Sequence, residues 1–232
     1  MPDPTTPSPG WSPRRLADTA VVLLAVFPVT VTVLNLVQRQ HYDVLRDAVS
    51  LLALGTGGAA MNAAFFGLGV GIGLMALVLR RSIGKGIAGP ALLNIAALAA
   101  FTSGIFHTNA NDAPSTTQSD IHMVAGITVF LSMVAAMFVF AWRFRHDPRW
   151  RRFAGLTLIW AVAGTVTFLL IPVAGDARFG LAQRLHIAVW LSWLLVTGLR
   201  ARRLNLGARD AYQQSVQTSS AVGKNSSGLP GR

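Results

Sequence analysis

The stretch IHMVAGITVFLSMVAAMFVFAW, Ile121–Trp142, contains no Lys, Arg, Asp or Glu. A run of about 18 or more apolar residues is long enough to cross a hydrocarbon core of ~30 Å as a helix. Immediately after it come Arg143, Arg145, Arg149, Arg151 and Arg152, interleaved with Trp150 and Phe153. Immediately before it lies the longest polar interruption of the chain, Phe106-His107-Thr108-Asn109-Ala110-Asn111-Asp112 running to Ser119-Asp120. An apolar run with a polar mouth at one end and a basic collar at the other reads as a membrane span with a direction.

The rest of the chain repeats this pattern. Of its 232 residues 52% are hydrophobic and only 12% charged, far below the roughly 25% charge of soluble domains. Further apolar runs cover about 20–37, 58–79, 87–106, 154–173 and 181–199. The expected fold class is therefore all-α: a polytopic integral membrane protein with a six-transmembrane-helix bundle over 18–203. Residues 1–17 and 204–232 are rich in Pro, Ser, Thr, Gln and Gly and are expected to be disordered tails. Arg14-Arg15 is followed by Leu-Ala-Asp and a run without a small-residue cleavage site, so it reads as the collar of the first span rather than an export signal. The chain has no Cys, which excludes disulfides and thiolate chemistry. It also has no Glu, so nine Asp supply every side-chain carboxylate.

Between the first two spans, Asp43, Arg46, Asp47 and Ser50 are spaced three and four apart. On a helix they would share one face, and a short interfacial helix is expected here. Within the second span Ala59, Ala63, Gly67 and Gly71 recur every fourth residue, with Gly69 and Gly73 beside them. Inside an apolar helix such stripes let backbones approach closely, and with no preceding strand they are not a phosphate loop. Asn62 and Asn94 sit within spans, where a side-chain amide needs a partner on another helix. Ser119 or Asp120 is expected to cap the fourth span.

Six spans put both termini on one side, and sixteen of the twenty Lys and Arg fall on that side. The positive-inside rule then makes the termini cytoplasmic, and the cell (plasma) membrane is the expected location. Arg143–Arg152 is expected to meet anionic lipid headgroups rather than nucleic acid. Five of the nine Asp and four of the five His fall on the opposite, outward side, and this clustering is the main functional signal. Nothing in the sequence sets the oligomeric state.

The run Tyr42–Gly58, with Asn62, Phe65 and Gly67 after it, resembles a bacterial six-span family known as domain of unknown function 998. That family typically carries Phe-Pro-Thr-Asp at the end of span three, Gly-x-x-His at the start of span four and Gln/Glu-Arg opening span six. The matching segments here are Phe106-His107-Thr108-Asn109, Ser119-Asp120-Ile121-His122 and Gln183-Arg184. The resemblance covers about 18–203 and implies the six-span fold. This chain departs at His107 for Pro, Asn109 for the acid and Ser119 for Gly, so an acid-dependent role in the family does not pass to position 109.

Three functions compete on these residues. The first is a non-enzymatic membrane protein that binds or moves a lipid or small solute, or acts as a partner protein. Its polar network would include Asp43, Arg46, Asp47, Ser50, Asn62, Asn109, Asp176 and Arg184, with Arg184 paired to Asp176 or Asp43. The second is an extracytoplasmic hydrolase or transferase on lipid-linked substrates. Its candidate catalytic residues are His107, Asp112, Asp120, His122 and His186, working as metal ligands or as a His base oriented by Asp. Asp120, His122 and His186 are the candidate metal ligands. Asp120 and His122 are two apart, so they share an ion only if the helix begins after Asp120. The third is a b-type haem protein ligated by His122 and His186. The residues by themselves assign no cofactor and leave open whether the chain is an enzyme.

Overall fold

A computed structural model describes residues 12–84, 86–111 and 113–226. Asp112, one of the candidate site residues, lies outside the described residues, as do residues 1–11 of the expected tail. Six long helices follow one another: α1 Pro13–Val37, α2 Gly58–Ile83, α3 Ala88–Ile105, α4 Thr117–Phe144, α5 Arg151–Val173 and α6 Phe179–Ser226. Among the described residues there is no strand. Each of the six is long and apolar enough to cross a membrane, as the sequence predicts.

The starts of α1 and α4 are capped by side chains. Ser12 Oγ accepts from Arg15 N–H at 3.3 Å, with Pro13 in the first position of α1, where its missing N–H costs nothing. At α4, Thr116 Oγ1 accepts from Ser119 N–H at 3.2 Å and Ser119 Oγ accepts from Thr116 N–H at 3.0 Å. This reciprocal capping box corrects the expected start near Ile121: the cap is Thr116, and both Asp120 and His122 lie on the helix.

Three further expectations are corrected. Residues 38–47 form turns rather than a helix, followed by a short 3-10 helix, Val49–Ala53. The carboxylates of Asp43 and Asp47 find partners at loop positions, while Ser50 is buried. The α6 helix continues through 204–226, where a disordered tail is expected. That segment has no Pro, the residue that would break a helix. Asn94 is exposed on α3, within two turns of that helix's start at Ala88, and is not buried between helices.

Each helix packs chiefly on its neighbours in sequence, and α6 closes the ring against α1 while also touching α2 and α4. The small residues of α2 act on two sides. A Cβ at Gly69 would stand 2.9 Å from Ala97 O of α3, and one at Gly71 would stand 3.0 Å from Leu24 Cγ of α1. Ala59 and Ala63, the outer half of the expected stripe, are exposed. Leu24, Met61, Ile72, Met75, Phe140, Trp190 and Trp193 fill the interior. The outward surface is apolar too, with Leu98 67% and Ile159 66% exposed. A helix apolar on all sides suits a lipid surround.

The two ends differ. Loops after α1, α3 and α5 gather at one end, the odd-loop end. Loops after α2 and α4 gather at the other with the start of α1 and residues near 200 of α6. At this even-loop end Arg143 donates to Gly86 O at 2.9 Å and Gly84 O at 3.2 Å. Arg149 pairs with Asp147 at 2.9 Å and donates to Ser82 O. Arg200 lies over the rings of Trp150 and Phe153. These guanidiniums join loops, while Arg145, Arg151 and Arg152 stay exposed.

Candidate functional site

The polar residues of the odd-loop end form two assemblies. The first joins the opening turns of α6 to the first loop. Gly180 N–H donates to Arg46 O at 3.1 Å and Leu181 N–H to Leu45 O at 2.9 Å. These are N–H groups of a first helical turn, which have no partner within their own helix. Gln183 Oε1 accepts from Val49 N–H at 2.8 Å. Arg184 Nη1 donates to Asp47 O at 2.8 Å and Gly180 O at 3.0 Å, and Nη2 donates to the Tyr42 hydroxyl. The Arg184 guanidinium also lies 5.4 Å from the Tyr42 ring centre. The Tyr42 hydroxyl in turn donates to the carbonyls of Asp47, at 3.1 Å, and Ala48, at 2.9 Å.

Gly180 is required by this contact. A Cβ there would stand 2.4 Å from Asp47 O and 2.9 Å from Asp47 N. The expected ion pair of Arg184 with Asp176 or Asp43 is corrected: its partners are carbonyls and a phenol, and Asp176 lies exposed in the turn Asp176–Arg178. Asp43 and Asp47 serve the loop itself. Asp43 Oδ1 accepts from Leu45 N–H and Asp47 Oδ2 from Asp43 N–H, both at 2.8 Å. Asp47 Oδ1 takes a 2.8 Å bond from Asn111, tying the first loop to the second. Burial raises the Tyr42 phenol above its usual pKa, against the lowering influence of Arg184, so the hydroxyl keeps its proton and its donor role.

Gln38 fastens the same loop from the end of α1. It is buried and donates Nε2 to Leu52 O and Thr56 O, both at 2.9 Å. The 3-10 turn Val49–Ala53 is thereby held as a lid over the bundle.

The second assembly joins α2, α3 and α4. His107 bridges Asn62 of α2, 3.0 Å from its Nε2, and Gln118 of α4, 3.1 Å from its Nδ1. Asn109 donates to Pro114 O at 2.6 Å and to Thr116 Oγ1 at 3.3 Å, bracing the loop before the α4 cap. Asp120 Oδ1 accepts from Ser115 Oγ at 2.5 Å; Asp120 is exposed and has no cationic partner among the described residues. His122 Nδ1 lies 2.7 Å from Phe106 O. A carbonyl only accepts, so Nδ1 carries the proton and Nε2 is the acceptor in the neutral ring.

Beneath the lid is a cavity of about 50 Å³. Ser50, Ser103, His122 and Gln183 supply its polar lining, and Phe27, Phe65, Phe130 and Trp190 its aromatic walls. That volume takes on the order of one to three waters. On the outward side of the α3–α4 seam is a much larger groove of about 530 Å³. Ile95, Leu98, Val124 and Ala125 line it, and Thr117 and Asp120 stand at its mouth.

The candidate residues are thus sorted into separate surroundings. Asp120 faces the groove mouth and His122 the cavity. His186 is fully buried, with Nδ1 3.1 Å from Thr167 Oγ1 and its ring between Phe130 and Phe168. It does not line the cavity that His122 lines. With α4 beginning at Thr117, the condition for Asp120 and His122 to share an ion is not met. Among the described residues no three His or Asp gather as a metal site. Behind His122 stands the Phe106 carbonyl, in the place an orienting Asp would take in a His–Asp base. Residue types alone do not mark Gln38, Tyr42, Ser103 and Gln183 as site residues. The available signal was the Gln183-Arg184 pair opening span six.

The family described as protein of unknown function (DUF998) matches this chain over residues 11–200, and the chain belongs to that family. No curated protein and no solved structure matches it.

Proposed function

We propose that this member of the family is a multi-pass protein of the cell membrane that holds a membrane lipid at the α3–α4 seam. Its odd-loop end would face outward and both termini the cytoplasm. The observation that carries the reading is the groove of about 530 Å³, within the 300–1,000 Å³ typical of ligand sites. Its walls are apolar and two of them, Leu98 and Val124, are 67% and 60% exposed, so an acyl chain enters from the bilayer without crossing protein. At its mouth the Asp120 carboxylate, the Thr117 hydroxyl and Ser115 offer one negative charge and hydroxyls. That chemistry favours a headgroup bearing an ammonium or hydroxyls over a purely anionic one. The lipid is gripped by α4, whose start is fixed by the Thr116–Ser119 box.

At the even-loop end, the exposed Arg145, Arg151 and Arg152 are the groups free to meet anionic headgroups. Arg143 and Arg149 are engaged with loop carbonyls and Asp147.

Native mass spectrometry of the full chain, released from nanodiscs of mixed phosphatidylethanolamine and phosphatidylglycerol, tests the reading. The wild type is expected to keep one lipid, with the zwitterionic, ammonium-bearing one preferred. Val124→Trp fills the groove and removes it; Asp120→Asn keeps binding and loses the preference. Equal retention in wild type and Val124→Trp overturns the site. Orientation is read separately by labelling Ala113→Cys and Pro148→Cys in intact cells with an impermeant reagent, which the Cys-free chain makes clean. Only position 113 is expected to react.

A further inference from the structure

The groups along α6 that the lipid reading does not use fall into a seam. Gln183, His186, Trp190, Trp193, Thr197 and Arg200 follow at intervals of three, four, three, four and three, the spacing that keeps one face of a helix turned to its partners. Four of them, His186, Trp190, Trp193 and Thr197, are at most 1% exposed. Each leaves a polar atom without a hydrogen-bond partner: His186 Nε2, Trp190 Nε1, Trp193 Nε1 and Thr197 Oγ1. Arg200 Nε continues the series, although that side chain also donates to Arg149 O through Nη2.

Unpartnered buried polar atoms are few in folded proteins, and in a bilayer neither lipid nor bulk water satisfies them. Four on one helical face need a common explanation. Their chemistry is complementary, with one acceptor, two donors and a hydroxyl that can be either. Thr167 Oγ1 donates to Ala163 O, so His186 Nδ1–H donates to Thr167 and Nε2 is left as an acceptor. Trp190 and Trp193 are donors only, and a hydroxyl is both. His186 and Trp190 are four residues apart, about 6 Å of rise, which one water spans by accepting from the indole and donating to the imidazole.

The seam also begins at an opening. Gln183 and Trp190 both line the cavity under the Val49–Ala53 lid, so two of its groups stand beside a space large enough for about one to three waters. From Gln183 to Arg200 the rise is about 26 Å, most of the ~30 Å hydrocarbon core.

We infer that the inward face of α6 is a water-binding file that starts at the cavity under the lid and continues down the bundle to Thr197. Its ligand is water, held between the indole N–H groups, the Thr197 hydroxyl and the His186 lone pair. It gives His186 a hydrogen-bonded route to the odd-loop end. This inference does not depend on the lipid site: the file is inside the ring, and the groove is outside it.

Trp150 is the internal control. It is as buried as Trp193, at 0% exposure, but its Nε1–H donates to Ser82 Oγ at 3.2 Å. The experiment is millisecond hydroxyl-radical footprinting of the full chain in nanodiscs, which generates the label from water at the site. Trp190 and Trp193 are expected to be modified at least ~5-fold faster than Trp150, since bound water supplies the radical there. Thr197→Val, of the same shape without the hydroxyl, is expected to bring Trp193 down toward the Trp150 rate while Trp190 keeps its own. Equal rates at all three tryptophans in the wild type would overturn the file and leave a dry seam whose indole N–H groups rest on neighbouring rings. A Trp193 rate unchanged by Thr197→Val would remove Thr197 and end the file at the cavity.

Discussion

The two polar assemblies at the odd-loop end start from similar residues and reach opposite conditions. Where α6 meets the first loop, most of the polar groups are engaged with one another. The Gly180 and Leu181 N–H groups and both Arg184 Nη atoms donate to carbonyls or a phenol, and Gln183 Oε1 accepts from Val49 N–H, which leaves the buried Arg184 Nε without a partner. Where α4 begins, Asp120 is held by a single Ser115 hydroxyl and faces a groove. The difference is one of supply. The first loop brings a row of backbone carbonyls to Arg184, whereas among the described residues no cationic group pairs with Asp120. Arg184 is tied mainly to groups of the chain itself, whereas Asp120 is the charge that the proposed lipid would meet.

Gly180→Val should do the most damage. Its side chain would meet the Asp47 backbone and part α6 from the first loop, breaking the Gly180 and Leu181 bonds together. Overpacking costs about 1–3 kcal/mol, and with the lost hydrogen bonds the total is about 3 kcal/mol or more. Thermal unfolding in detergent followed by circular dichroism would show the loss; a stability equal to wild type would break the claim that this contact is tight.

Arg184→Met removes the donors to two carbonyls and to Tyr42 and should cost about 2–3 kcal/mol, since hydrogen bonds from charged groups are worth about 1.5–3 kcal/mol. The same readout applies, and a loss under about 0.5 kcal/mol would place Arg184 with ordinary surface cations.

Tyr42 gives this region a pH signature with a definite sign. Burial raises its folded pKa above the ordinary value near 10. The stability it contributes is therefore fully present below the unfolded pKa and is lost as pH rises through the folded one. Unfolding midpoints should hold from pH 7 to about 9 and fall above about 10. Tyr42→Phe should cost about 1 kcal/mol at pH 7 through its lost hydrogen bonds and weaken that alkaline fall.

On the α4 side the effects should be smaller and of another kind. Asn109→Asp turns a donor to Pro114 O at 2.6 Å into a carboxylate facing a carbonyl, at a cost of about 1 kcal/mol. Asp120→Asn should change stability by under about 0.5 kcal/mol, as exposed substitutions usually do, while changing which lipid is retained. A large stability loss at Asp120 would erase the contrast between the two assemblies.

The sequence carried further for the spans than for the site. The spans are legible because ~20 consecutive apolar residues have one low-cost solution in a bilayer, a helix with all its backbone bonds internal. The site is harder because polar residues in loops are placed by partners far away in sequence. The spacing of Asp43, Arg46, Asp47 and Ser50 fits a helix face, yet the loop is turned by bonds to Gly180, Leu181 and Asn111. Thr116 outcompeted Ser119 and Asp120 as the α4 cap because Ser119 could reciprocate its bond, which extended the helix one turn and set Asp120 and His122 on different faces.

The sequence by itself determined the six apolar helices, the lopsided distribution of basic residues between the two ends, and the gathering of Asp and His residues at one of them. These depend on composition along the chain, which local hydrophobicity reads directly. Only the tertiary structure decided that α6 closes the ring, that Arg184 turns to carbonyls instead of carboxylates, and that Asp120, His122 and His186 face three separate environments. Those outcomes depend on the angle of each side chain about its helix and on which groups the neighbouring helix supplies. Both are fixed by contacts between segments, from 16 residues apart for His122 and Phe106 to 137 apart for Arg184 and Asp47.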